Sequence, residues 1–297
     1  MSWADLTIAV VGGDEREQEI ARLAALTGAS VRAYGFIGAD APIAGVRAAT
    51  SVEEAVTAAD VLLLPIPGIA VDASIFAPGH ATPIVITAQL LGMMSAPAHV
   101  ILGRADTRLT AAAAAVGAVL DEYEDDQELM LLRAPAIVEG VLRVVIENTG
   151  VTINDAHVVV VGYGNIGARL AVTLRALGAK VTVAVRNPLQ RAAAYAAHLR
   201  AVPLTDLGAE VAQADMVFST VPAPVVTGSV LERLRPGSLV VDVAAPPGGV
   251  DLQAATELGH RAVWARGMGR RAPVTVGESQ WRGIRARIEQ AQLVASP

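Results

Sequence analysis

Residues 158–170, "VVVVGYGNIGARL", constrain the fold more tightly than any other part of the chain. Four consecutive valines read as a strand buried on both faces. Gly162, Gly164 and Gly167 follow, and "ARLAVTLRALGA" then runs on as a helix. A Gly-x-Gly-x-x-Gly turn between strand and helix has a specific mechanical logic. Gly162 permits the tight turn, Gly164 lets a pyrophosphate approach the backbone, and Gly167 lets the helix pack on the strand. The helix N-terminus then faces the phosphate charge. Residues 10–19, "VVGGDEREQE", start the same way but never complete the spacing.

Around these two turns, strand-like and helix-like segments alternate. In the first half, 7–11, 29–36, 60–67, 82–87 and 99–103 read as strands. Residues 15–27 and 51–59 read as helices, the second with Ser51 and Glu54 as a capping box. Residues 111–120 read as a buried helix. In the second half, 158–161, 180–185, 216–220, 238–243 and 261–267 read as strands, with helices starting near Asn165, Leu189, Asp206 and Ser229. Residues 136–147 are apolar at helical spacing and suit a connecting helix. Residues 277–293 form an amphipathic helix with Trp281, Ile284 and Ile288 on one stripe. This pattern predicts an α/β chain: two Rossmann-like parallel-sheet domains joined by a long helix, with a C-terminal helix packing across. The expected divisions are 1–133, 134–276 and 277–297.

Composition narrows the function. Hydrophobic residues make up 53% and charged residues 18%, enough for a filled core, and aromatics at 3% make that core aliphatic. A net charge of −6 argues against a general nucleic-acid-binding surface. The absence of cysteine excludes disulfides, thiolate metal sites and a cysteine nucleophile, and fits a cytoplasmic setting. The N-terminus has no basic start before its apolar run, so it is a poor signal peptide. Residues 61–103 are almost uncharged, but Pro65, Pro67, Gly68, Asp72, Pro78 and Gly79 break them up, so no membrane span is expected. His80, His99, His157, His198 and His260 have no metal-ligand spacing, and no serine sits in a nucleophile elbow. Neither metal nor covalent catalysis is expected.

The end of the strand at 180–185 bears on the cofactor. Enzymes that use NAD place an acid there for the ribose hydroxyls. This chain has Arg186-Asn187, with Arg191 one turn into the helix, which suits the 2′-phosphate of NADP. The expected cofactor-binding residues are Gly162, Tyr163, Gly164, Asn165, Ile166, Gly167, Arg186, Asn187 and Arg191. Thr220, Val221 and Pro222 join them at the next strand end, and Val243 and Ala244 at the one after. Asp242, inside an apolar strand, either serves the site or ties down the following loop.

Several segments occur together, in order, in one known family. They are "VVGGDEREQEIARL", "LLLP" at 62–65, "LRAPAIVEG" at 132–140, "VVVVGYGNIG", "VDVAAPPGGVD" at 241–251 and "RGMGRRAPVTVG" at 266–277. Over nearly its whole length the chain resembles the A subunit of dipicolinate synthase. It departs from that family at Val274-Thr275-Val276-Gly277, where relatives often carry Lys-Thr-Ala-Gly, and at Ala244-Ala245-Pro246, where Ala-Ser is common. The resemblance implies NADP-dependent oxidation of a reduced, cyclic dicarboxylate to aromatic dipicolinate. It also implies a flavoprotein-like second subunit, and a homo-oligomer is expected. Asp14, Arg16, Arg133, Arg270, Arg271 and Thr275 become candidates for substrate binding. Arg16, Arg133 and Glu139 become candidates for catalysis, with Glu139 as proton acceptor. Asp14 has a second reading, as a cap of the first helix. Two other functions stay open: a different NADP-dependent dehydrogenase of small carboxylic acids, and a dinucleotide-binding regulatory subunit without chemistry.

Overall fold

A computed structural model describes residues 2–36 and 42–295. The chain divides into two compact units, one of 1–133 with 272–297 and one of 134–271. In the first unit, β1 (Thr7–Val11), β2 (Ser30–Tyr34), β3 (Val46–Ala48), β4 (Val61–Leu63), β5 (His99–Leu102) and β6 (Val119–Glu122) form one sheet. In the second, β7 (His157–Val161), β8 (Lys180–Val185), β9 (Arg200–Pro203), β10 (Met216–Ser219), β11 (Leu239–Asp242) and β12 (Arg261–Trp264) form another. The sheets have the same order, β3-β2-β1-β4-β5-β6 and β12-β11-β10-β7-β8-β9, and every pairing is parallel. In both, the chain reverses direction across the sheet at the first strand, the switch point where α/β sheets bind ligands.

The helices are α1 (Glu15–Ala25), α2 (Val52–Val56), α3 (Ala88–Leu91), α4 (Thr107–Val116), α5 (Gln127–Asn148), α6 (Asn165–Ala176), α7 (Pro188–Ala196), α8 (Leu207–Glu210), α9 (Gly228–Leu231), α10 (Leu252–Glu257) and α11 (Pro273–Ala295). Central strands are buried on both faces, as at Ile8–Val11 and Val158–Val161, which is why they read as unbroken apolar runs. Each sheet has a core cluster on either face. No described helix is long and apolar enough to cross a membrane.

Several expectations need correction. Residues 82–87 are not a strand; only Val85, two residues after Pro83, makes an isolated bridge, to Ser74. The run 111–120 is not one buried helix. Gly117, at φ +70°, closes α4, and the chain then enters β6; only Leu109 and Ala113 of α4 are buried. The capping box at Ser51 is half formed. Ser51 caps the Glu54 amide, but the Glu54 carboxylate turns to the amide and hydroxyl of Thr50. Strands β3, β6 and β9 were not anticipated.

The long helix starts at Gln127 rather than near 136, because Asp126 accepts the amides of Glu128 and Leu129 at 3.0 and 3.2 Å. The unit division falls inside this helix, beside Pro135. The last helix starts at Pro273 rather than Gly277, since proline is suited to a first helical turn. It belongs to the first unit. Trp281, Ile284 and Ile288 fill that unit's core with Ile20 and Leu129, and the Trp281 ring lies 5.9 Å from that of Trp3. A Cβ at Gly277 would stand 2.9 Å from the Arg16 carbonyl oxygen, so the glycine allows α11 to approach α1 closely.

Candidate functional site

The two βα turns share a frame. Gly162 N–H donates to the Ala184 carbonyl, just as Gly12 N–H donates to that of Tyr34, at 3.0 and 2.8 Å. Beyond that frame they diverge. In the second unit the N-cap of α6 is Gly164, which has no side chain to bond the helix's first amides. A Cβ built on Gly164 meets nothing within 4 Å, whereas one on Gly167 would stand 2.4 Å from the Gly162 carbonyl oxygen. Gly162, at φ +97°, faces Thr220 and Val221. The three glycines therefore serve a turn, an open approach and a close packing contact respectively. A helix N-terminus with uncapped amides and open space before it suits a phosphate group.

A cavity of about 390 Å³ extends from this turn along the carboxyl ends of the strands. Gly162, Tyr163, Gly164, Arg186, Asn187 and Thr220 are among its walls, followed by Val221 and Pro222. Arg186 is exposed at the end of β8, with no carboxylate at that strand end. Asn187 caps α7, its side-chain oxygen accepting Leu189 N–H at 2.8 Å. The Thr220 hydroxyl donates to the Val161 carbonyl at 3.0 Å, which fixes the glycine turn against the next strand. Asn165, Ile166, Gly167, Arg191, Val243 and Ala244 do not line the cavity. Gln190, Leu204, Ala223 and Val225 do, without having been expected; Gln190 was in principle visible as the residue before Arg191 in the first turn of α7. Asp242 is buried and accepts the amides of Ala244, Gly249 and Val250 at 3.0, 2.7 and 3.1 Å, so it holds the loop after β11 in place.

In the first unit the equivalent helix start carries its own anions. Asp14 is the N-cap of α1 and forms a full capping box with Glu17, whose Oε2 accepts Asp14 N–H at 2.9 Å. Arg16 grips Asp14 through Nε and Nη2 at 2.8 and 2.9 Å. All three residues are buried. Two carboxylates and a guanidinium therefore occupy the position that a phosphate takes in a dinucleotide site. Burial pushes the Glu17 carboxyl up to about 7, against the pull of Arg16.

The remaining candidates separate. Arg133, on α5 in the first unit, is half-buried, and burial lowers its pKa from the usual arginine value. Among the described residues it bonds only the Met130 sulfur, and its Nε is buried without a partner. Thr275 is exposed on the first turn of α11 in the same unit. Glu139 was expected in an apolar setting; it is exposed and paired with Arg271, both in the second unit. The neighbouring Gly140 explains the Glu-Gly pair, since a Cβ there would stand 2.8 Å from that of Met268. Arg270 is exposed on the short turn that also carries Arg271.

Comparison with known proteins agrees with this division. Residues 7–123 match the family model of the N-terminal domain of the dipicolinate synthase A subunit. Residues 145–257 match that of shikimate/quinate 5-dehydrogenase. The A subunit of dipicolinate synthase from Bacillus subtilis (strain 168) is 28% identical over 274 residues, covering 92% of both chains. The crystal structure of its counterpart from Bacillus halodurans superposes with a TM-score of 0.87 at 26% identity, over 100% of both chains. That of the Bacillus subtilis protein superposes with a TM-score of 0.86 at 26% identity, over 97% of both. The second unit thus has a dehydrogenase-type nucleotide-binding fold, and along nearly its whole length the chain is a relative of the dipicolinate synthase A subunit.

Proposed function

We propose that the chain is an NADP-dependent dehydrogenase of the dipicolinate-synthase type, oxidising a reduced dipicolinate, dihydro or hydroxy-tetrahydro, to the aromatic pyridine dicarboxylate. The observation that carries this reading is the uncapped, open turn at Gly164, within a chain related throughout to the dipicolinate synthase A subunit. A hydroxy-tetrahydro substrate would first lose its hydroxyl as water, and NADP, when bound, would then accept a hydride from the dihydro ring while a proton leaves to solvent. The Gly162–Gly167 turn would hold the pyrophosphate, and exposed Arg186 would meet the 2′-phosphate where an NAD enzyme places an acid. Thr220, through its bond to Val161, would keep the turn rigid.

For the substrate's carboxylates, Arg133 is the best placed of the proposed arginines. Arg16 is committed to Asp14 and Arg271 to Glu139, whereas Arg133 has no acidic partner among the described residues. Glu124 acts on Arg133 electrostatically, but no carboxylate is bonded to it among the described residues, and a half-buried guanidinium left without a bonded acid favours a bound carboxylate. Aromatisation supplies driving force, so the protein's task is mainly to hold and orient the ring. The relatives are named as one subunit of a synthase, which supports a second subunit here as well; a flavoprotein-like partner is what the family resemblance implies. The deciding experiment incubates the purified chain with freshly made hydroxy-tetrahydrodipicolinate and NADP, with and without a flavoprotein-like partner. Dipicolinate and NADPH should appear together in equal amounts. Their absence in both arms would overturn the reading.

A further inference from the structure

Tyr123 directly follows β6, and its side chain packs in the first unit's core, 1% exposed. Its hydroxyl has no hydrogen-bond partner among the described residues. Glu17 Oε1 and Arg133 Nε share this condition, and both groups act electrostatically on the Tyr123 hydroxyl. Gln280 of α11, fully buried, leaves both ends of its amide unpartnered, one turn beyond the glycine that touches the Arg16 carbonyl. Buried polar atoms are nearly always paired, so a group of such exceptions in one unit needs a cause.

The chemistry of the three selects what would satisfy them. A phenol and a guanidinium Nε–H are donors, and so is Glu17 when it carries a proton. A cation would be repelled by Arg16 and Arg133, and an apolar group would leave every donor unpaired. A carboxylate offers charge and several lone pairs in one plane.

We propose that Tyr123 and Glu17 are positioning residues that, with Arg133, take one carboxylate of a small dicarboxylate. This rests on the substrate reading above and extends it to two residues of the first unit. Burial, which holds the Glu17 carboxyl near 7, makes its donor form available at neutral pH. The groups facing it are Asp14 and Arg16 on its own helix and Tyr123 beyond β6. Arg133 on α5 acts electrostatically on Tyr123, as does Arg287 on α11, which lies 5.9 Å from the Tyr123 ring while paired to Asp121 and Asp126. A bound carboxylate would be a second anion beside Glu17 and would raise its proton affinity further. Binding above pH 7 would therefore take up a proton.

The test is calorimetric titration of the full chain with dipicolinate, NADP present, from pH 6 to 8, in two buffers of different protonation enthalpy. The native chain should take up close to one proton at pH 8, with affinity falling as pH rises. Tyr123→Phe removes a hydroxyl that bonds nothing in the free protein, so it should melt like the parent yet bind dipicolinate about tenfold more weakly. Glu17→Gln can still accept the Asp14 amide through its own oxygen, and should lose both the proton uptake and the pH dependence. Unchanged affinity in Tyr123→Phe, or proton uptake persisting in Glu17→Gln, would overturn the proposal. If Arg133→Ala loses binding while Tyr123→Phe does not, the substrate reading survives and this extension falls. A native chain that binds no dipicolinate at any pH overturns both.

Discussion

Arg16 and Asp14 form a closed, two-bond ion pair inside the first unit, with nitrogen–oxygen distances of 2.8 and 2.9 Å and 8% and 0% exposure. Removing one partner of such a pair strands the other in a place without water. Arg16→Ala should therefore destabilise the first unit by about 3–5 kcal/mol. Thermal melts should show a lower midpoint, while any rise that NADP gives the parent should be kept, because the glycine turn proposed to hold the dinucleotide lies in the other unit. An unshifted midpoint would mean that the pair is not closed in solution.

Glu17 gives the fold a pH dependence of definite sign. Its carboxyl ionises near 4.5 in an unfolded chain and near 7 in the folded one. Between those values the folded state holds a proton that the unfolded state has released. Stability should fall as pH rises through that window, by at most about 1.4 kcal/mol per pH unit, and level off above 7. Glu17→Gln should flatten the decline. Urea titrations at pH 5, 6 and 7.5 on parent and variant make the comparison.

The glycines at 164 and 167 should respond in opposite ways. Gly164 has ordinary extended backbone and open space around a Cβ, so Gly164→Val should fold normally and lose the thermal stabilisation that NADP gives. Gly167→Ala would drive a Cβ to within 2.4 Å of the Gly162 carbonyl oxygen, so it should damage the fold itself. A Gly164→Val protein that is still stabilised by NADP would place the dinucleotide elsewhere.

Arg186 makes no ion pair among the described residues, so exchanging it should leave the fold alone. Arg186→Asp should weaken NADP binding roughly ten- to a hundredfold and bring NAD level with it or ahead. Fluorescence titration of parent and variant with both reduced dinucleotides measures the ratio. Equal affinity of the parent for the two would remove Arg186 as the discriminating residue.

What could be read beforehand followed from how local the cause was. Val158–Val161 announced β7 because a strand covered on both faces needs apolar residues at every position. The short strands β3 and β9 lie at or near sheet edges, where exposed residues such as Arg47 and Arg200 are tolerated, so their sequences carry no such signature. The glycine turn was legible because each glycine answers to backbone within a few residues or on the adjoining strand. Glu17 looked like an ordinary third-position helix residue. Tyr123 stands in the acidic run 121–126, which reads as a solvated loop or a helix N-terminus, yet it is buried in a core that Trp281 and Ile284 help to build from more than 150 residues further along. No local pattern reveals that contact. Glu139 failed in the other direction: its apolar sequence neighbours pack into the core, while its own position on the helix faces solvent.

The return of α11 to the first unit affects how the protein can be made. The second unit is one uninterrupted stretch, 134–271, and has all its strands as soon as β12 has been synthesised. The first unit has all six strands after Glu122, but the side chains that complete one face of its core, Trp281, Ile284 and Ile288, come last. Until then Ile20, Tyr123 and Leu129 lack their cover, and the nascent first unit carries an open apolar face throughout translation of the second. The half that is begun first is therefore finished last. A ribosome-stalled chain in which residue 271 is followed by a linker long enough to clear the exit tunnel should show a protease-resistant second unit beside a first unit that is still readily cut.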